Sequence, residues 1–215
     1  MFVGHYSAAL VAATHPKAPK LGTLFVAAQL IDFGFFSLVL TGGEKMRLTP
    51  GITVMNNMDL YDMPWTHSLL GATCWALGFG IIVWLWLGNR TAGVITGAVV
   101  LSHWVLDLFV HQPDLTLAGG PLRFGFGLWN YPAIEMPLEI GLLFASAWLF
   151  ARSTSGKLWP LATLLAVLLG LQAFNWFAPQ PTEVDASQSI LGLFAYCLAA
   201  ALAFWVARGR ERNAA

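Results

Sequence analysis

Apolar residues run along this chain in six stretches of about 20 residues, the length a helix needs to cross roughly 30 Å of hydrocarbon. The stretches are Leu21–Thr41, Thr66–Leu87, Ala92–His111, Ala133–Ala151, Leu158–Phe177 and Ser189–Ala207. Some connections are short and polar, such as GNRT and ARSTSGK. Two longer ones, residues 42–65 and 112–132, are rich in Gly, Pro, Asn and Asp and read as loops. The pattern predicts an all-α fold, a polytopic membrane helical bundle of six transmembrane helices forming one integral membrane domain over residues 1–215. No internal repeat or low-complexity segment interrupts it.

The first residues, MFVGHYSAALVAAT, are also apolar but too short to span, and they lack the basic start of a cleaved signal peptide. The His-Pro-Lys-Ala-Pro turn that follows predicts a half-spanning, re-entrant helix over 1–14, hairpinned onto the first span and starting about 18 Å deep. An amphipathic helix lying on the membrane surface is the alternative.

Composition agrees with this pattern. Of 215 residues, 57% are hydrophobic and 10% charged, against about 25% charged in an ordinary soluble domain. Mean hydropathy is +0.66. The net charge is zero and no basic run lies outside the tail, which excludes a nucleic-acid partner and leaves membrane lipids as the expected one. Cys74 and Cys197 fall inside apolar stretches and read as packed thiols.

Charge distribution orients the bundle. With six spans, eight basic residues (Lys17, Lys20, Arg90, Arg152, Lys157, Arg208, Arg210, Arg212) share one side, and three (Lys45, Arg47, Arg123) the other. The positive-inside rule then puts both termini in the cytoplasm and loops 42–65, 112–132 and 178–188 outside, as expected for a bacterial inner-membrane protein. Arg208–Arg212 reads as a topology anchor.

That orientation fixes the depth of every polar residue. In SHWVLDLFVHQPD, residues 102–114, His103, Asp107 and His111 are four apart and stack along one helix face. His103 falls near or just beyond the midplane, with Asp107 about one turn higher. Asp32 lies about 18 Å above Lys20, His67 at the outer rim, and Glu135 and Glu139 in the outermost turns of span 4. His5 reaches the depth of Asp32 if the half-spanning helix forms. Each such charge costs roughly 2.5–3.5 kcal/mol on insertion scales, so pairing, protonation or a jointly held cation must neutralise them. Histidine with carboxylate is the ligand set of zinc and other first-row divalent metals. The candidate ligands are His5, Asp32, His67, His103, Asp107 and His111, for one or two ions, zinc foremost.

Structural readings stand beside these. The His103–Asp107–His111 row can be an interhelical hydrogen-bond network, and His111 can simply end its helix before Gln112 and Pro113. His15 sits in a Pro- and Lys-rich turn on the opposite side. Trp65, Trp129 and Trp159 read as an interfacial belt, and Gly93-x-x-x-Gly97 as a close-packing motif. Residues 140–215 show almost no chemistry, and their task is to close the bundle.

The segments GHYSAAL, QLIDF, THSLLG and LSHWVLDL, in that order over residues 1–115, resemble the successive signatures of the YdjM-like family of predicted membrane-bound metal-dependent hydrolases. The resemblance implies a metal site on His5, Asp32, His67, His103 and Asp107. It also implies a distant likeness to bacterial zinc phospholipase C and related nucleases. Two departures are visible. The family has a further acid beside the first carboxylate, where this chain reads LIDFG. It also has a histidine five residues before the THS histidine, where this chain has Asp62, an alternative or supporting ligand.

The expected function is a membrane hydrolase cleaving an ester or phosphoester near the outer leaflet, with a lipid-linked substrate expected because the site is reached sideways from the bilayer. Glu135 or Glu139 is the expected general base, and Arg123, in GGPLRFGFG, an expected phosphate partner. The rivals are a cation- or proton-coupled transporter, a haem protein ligated by His67 and His103, and a non-enzymatic accessory subunit.

Overall fold

A computed structural model describes residues 1–213 and shows a mostly helical chain. Eight α-helices follow in order: α1 (His5–Ala12), α2 (Leu21–Ala28), α3 (Leu30–Thr41), α4 (Leu69–Leu87), α5 (Arg90–Val110), α6 (Pro132–Ser153), α7 (Trp159–Phe177) and α8 (Ala186–Val206). Two antiparallel strand pairs join them. Strand β1 (Lys45–Leu48) pairs with β2 (Met58–Asp62), and β3 (Thr154–Gly156) with β4 (Arg210–Arg212).

Helices α4 to α8 are each long and apolar enough to cross a membrane, at 19, 21, 22, 19 and 21 residues. The stretch Leu21–Thr41, expected as one helix, is instead broken: α2 and α3 meet at a 50° bend. Gln29 leaves helical geometry there (φ −112°, ψ 11°), and its fully buried side chain donates from Nε2 to the Phe2 carbonyl at 3.1 Å. A buried amide finds a partner outside its own helix, and the chain turns at that point. Asp32 consequently sits in the first turn of a new helix.

The short helix α1 lies inside the bundle, packed against α2, α5 and α6. Val3, Tyr6, Ala9 and Leu10 are fully buried, and Tyr6 stacks on Phe25 with ring centroids 4.4 Å apart. Even Met1 is buried, so the first residue is within the bundle and not at its surface.

Helices α4 and α5 form the closest pair. Gly88 supplies the left-handed turn between them (φ 61°), and the Asn89 side chain caps α5 by accepting from the Thr91 and Ala92 N–H groups. Ala76 and Gly80 of α4 face Gly93 and Gly97 of α5, small residues four apart on both helices. A Cβ on Gly93 would stand 2.6 Å from Trp84 Cβ, and one on Gly97 2.9 Å from the Ala76 carbonyl. The Gly-x-x-x-Gly spacing therefore has a physical use here.

At the opposite end from the loops, Arg210 donates to the carbonyls of Ala151, Thr154, Gly156 and Lys157, satisfying the open C-terminal end of α6. Arg212 does the same for Ala13, Pro16 and Pro19 beyond α1. Beyond any role in orientation, these arginines tie three segments together. Cys74 and Cys197, expected to be packed, are exposed on the outer helix surfaces, because the helix faces that carry them meet no protein neighbour.

Replacing Gly93 by Ala forces α4 and α5 apart, with an expected loss of about 1–3 kcal/mol. Gly78→Ala, on the same pair but with open space around its Cβ, is the control. Thermal unfolding in detergent should show a lowered midpoint for the first and none for the second.

Candidate metal centre

Asp107 is the meeting point. It projects from the C-terminal half of α5, one turn beyond His103 and one before His111, and is 1% exposed. Its two oxygens face different groups. Asp107 Oδ2 lies 3.0 Å from His103 Nε2 and 3.7 Å from His67 Nε2. Asp107 Oδ1 lies 3.1 Å from His5 Nε2, 3.6 Å from His111 Nε2 and 3.1 Å from the Met1 nitrogen. Asp32 Oδ1, from the start of α3, stands 3.4 Å from both His67 Nε2 and His103 Nε2. The bundle thus gathers all six sequence-expected ligands, drawn from α1, α3, α5, the turn before α4 and the end of α5.

Three of the imidazoles are oriented by their outer nitrogens. His103 Nδ1 is 2.8 Å from the Ala28 carbonyl, His111 Nδ1 is 2.8 Å from Asp114 Oδ1, and His67 Nδ1 is 2.8 Å from Thr66 Oγ1. The Thr66 hydroxyl donates to Glu44 at 2.6 Å, so its oxygen is left to accept from His67. Each partner is an oxygen acceptor, which places the proton on Nδ1 and turns the Nε2 lone pair toward the centre. Trp104 Nε1 further holds the His67 carbonyl at 3.1 Å. His5 stacks parallel to His103, with centroids 3.8 Å apart at 4°, and neither of its buried nitrogens has a hydrogen-bond partner.

Groups that the sequence did not point to complete the surroundings. Tyr196 of α8 donates its hydroxyl to Asp32 Oδ2 at 3.0 Å, leaving Oδ1 facing the imidazoles. Gln172 of α7 donates to Glu139 Oε2 at 3.0 Å. Trp129 packs on His111 at 4.2 Å between centroids, so it belongs to the site as much as to any belt. Residues 140–215 were expected to be nearly bare, yet they supply Gln172 and Tyr196. The only trace of these in the sequence is an amide and a phenol within otherwise apolar runs.

The two glutamates differ. Glu139 accepts from the Phe2 N–H at 2.6 Å and the Gly4 N–H at 2.9 Å, anchoring the turn that leads into α1. Glu135 is equally buried, but its Oε2 has no partner. Two expected residues stand apart from the cluster. Asp62, at the end of β2, is half exposed and 4.0 Å from Lys45 Nζ, its partner across the hairpin beyond the register irregularity between Lys45 and Arg47, where the strand has run past the buried Leu60. Arg123 bridges the carbonyls of Asp114 and Tyr61 at 3.1 and 3.2 Å, bracing the loop behind His111 with its guanidinium already engaged.

Above the centre opens a cavity of about 580 Å³. Asp32, Asp107, His67, His111, Glu135 and Glu139 are among its polar lining, and Phe35, Met46, Met58, Leu60, Phe174 and Leu191 among its apolar walls. The β1–β2 hairpin roofs it, with Met46 and Leu60 buried and Arg47 and Tyr61 turned out.

Removing the Gln172 amide leaves a buried carboxylate oxygen of Glu139 without its donor, at a cost of about 1–3 kcal/mol. Gln172→Leu should therefore lower the thermal midpoint in detergent and loosen the first residues, read as faster amide exchange at Val3 and Gly4.

Compared with known proteins, the chain matches no family model, no curated protein and no solved structure.

Proposed function

We propose that the chain is a membrane-embedded, metal-dependent hydrolase acting on a lipid-linked ester or phosphoester near the outer leaflet. In this reading α2 and α3 together form one broken span, which gives six, and α1 enters from the basic, cytoplasmic side as a half-span. The eight-to-three distribution of basic residues supports that orientation. The resemblance of residues 1–115 to the YdjM-like family points the same way.

One observation carries the proposal: three imidazoles, each tied through Nδ1 to an oxygen, aim Nε2 at the carboxylates of Asp32 and Asp107. A purely structural network would align such nitrogens for hydrogen bonding, whereas His103 Nε2 and His5 Nε2 stand 3.0 and 3.1 Å from Asp107 oxygens without hydrogen-bond geometry. The N and O donors suit zinc or another first-row divalent ion. The groups Asp32–His67–His103 and His5–His103–Asp107 each lie close enough to share an ion. The donors divide over the two oxygens of Asp107, so these residues would hold one or two ions.

A divalent ion bound there supplies Lewis-acid polarisation of a water and of a substrate oxygen. The side chains do the rest. Glu135, with its free oxygen facing the cavity, takes the proton from the attacking water. Glu139 keeps the α1 turn in place, and Tyr196 holds Asp32 in register. The apolar walls keep bulk water from the reacting bond.

The break at Gln29, next to Asp32, favours a second reading, cation transport through a discontinuous helix. It predicts uptake of labelled cation into proteoliposomes with no lipid turnover.

Elemental analysis of protein purified without chelator tests the proposal. Near-stoichiometric zinc, manganese or iron is expected, and it should vanish in His103→Ala and Asp107→Ala. Tyr196→Phe should retain the fold and weaken metal affinity by about 10- to 100-fold. A wild type that stays metal-free after incubation with zinc overturns the hydrolase.

A further inference from the structure

The charge lining the cavity is mostly negative. Asp32, Asp107, Glu135 and Glu139 reach its surface, no lysine or arginine does among the described residues, and the Met1 ammonium that also lines it is taken up by Asp107 at 3.1 Å. The three cations on the loop side are all engaged elsewhere. Lys45 is 4.0 Å from Asp62, Arg47 pairs with Asp59 at 2.5 Å and lies over the Tyr61 ring, and Arg123 is held by two carbonyls. Glu135 Oε2 is buried and unpartnered, aimed into this space.

Four carboxylates outweigh the Met1 ammonium and a single divalent ion together. A phosphate can be met at the metal centre, but a head group that brings no cation of its own keeps a net negative charge, which Glu135 and Glu139 oppose. In a site walled by apolar side chains such repulsion is poorly screened. A positive charge in the same place is attracted, and aromatic faces at Trp129 and Tyr196 accommodate it. The remaining wall, including Phe35, Met46, Met58 and Phe174, matches hydrocarbon. The volume, about 580 Å³, is of the size that takes a head group and the first part of its chains.

We propose that the substrate is a zwitterionic phospholipid whose head group carries an ammonium, and that the acidic lining excludes head groups of net negative charge. This rests on the hydrolase reading for the word substrate, and on the charge of the cavity alone for the choice of lipid.

The test uses the full chain, zinc-loaded, in dodecyl maltoside micelles containing either phosphatidylethanolamine or phosphatidylglycerol. Turnover, metal content and the lipid retained after re-purification, by mass spectrometry, are measured on one preparation. The expected result is a preference of about tenfold or more for phosphatidylethanolamine in both turnover and retention. Asn175→Lys, which adds a cation to the exposed part of the cavity wall, should narrow the preference with metal content unchanged. Equal retention of the two lipids, or faster cleavage of phosphatidylglycerol, overturns the head-group assignment. Selective retention without turnover of either lipid keeps the assignment and overturns the hydrolase. Cleavage of water-soluble glycerophosphoethanolamine as fast as the lipid overturns the lipid part.

Discussion

Burying the Asp107 carboxylate is the constraint around which this bundle is organised. A carboxylate inside a membrane helix is costly unless its charge is met, and at 1% exposure Asp107 gains nothing from solvent. Its neighbours come from widely separated parts of the chain: His5 from α1, His67 from the turn before α4, and His103 and His111 from its own helix. Satisfying one residue therefore requires that α1 be inside the bundle and that α4 and α5 lie in close register. The glycine and alanine contact between α4 and α5 permits the second.

The surrounding groups act one step removed, by deciding which way each imidazole faces. Glu44 works through Thr66 on His67, Asp114 on His111, and the Ala28 carbonyl on His103. The carbonyl of Ala28 lies immediately before the break at Gln29. The same break that redirects α3 and delivers Asp32 thus coincides with the backbone acceptor that orients His103.

Much of the centre was legible because helix geometry turns spacing into position. Residues four apart on α5 share a face, and counting 1.5 Å per residue from the membrane edge places Asp32, His67 and His103 at related depths. The break in Leu21–Thr41 was not legible, since no proline or glycine marks it and the cause is a long-range contact from Gln29 to Phe2. Gln172 and Tyr196 were hidden for a similar reason: their partners, Glu139 and Asp32, lie 33 and 164 residues away. Asp62 and Arg123 were misjudged because loop residues carry no depth, and their placement follows from the β1–β2 register and from the carbonyls that Arg123 meets.

Helix α1 has a consequence for how the protein is made. His5 leaves the ribosome before every group that holds its segment: Gln29, Asp107, Glu139 and finally Gln172. An eight-residue helix is too short to be integrated as a span of its own. It must wait at the membrane until α5, α6 and α7 have been inserted, then slide into the space that they enclose. Completion of the centre is therefore coupled to synthesis as far as α7, and a truncated product ending before α6 would hold most of the ligands without the scaffold that brings His5 to them.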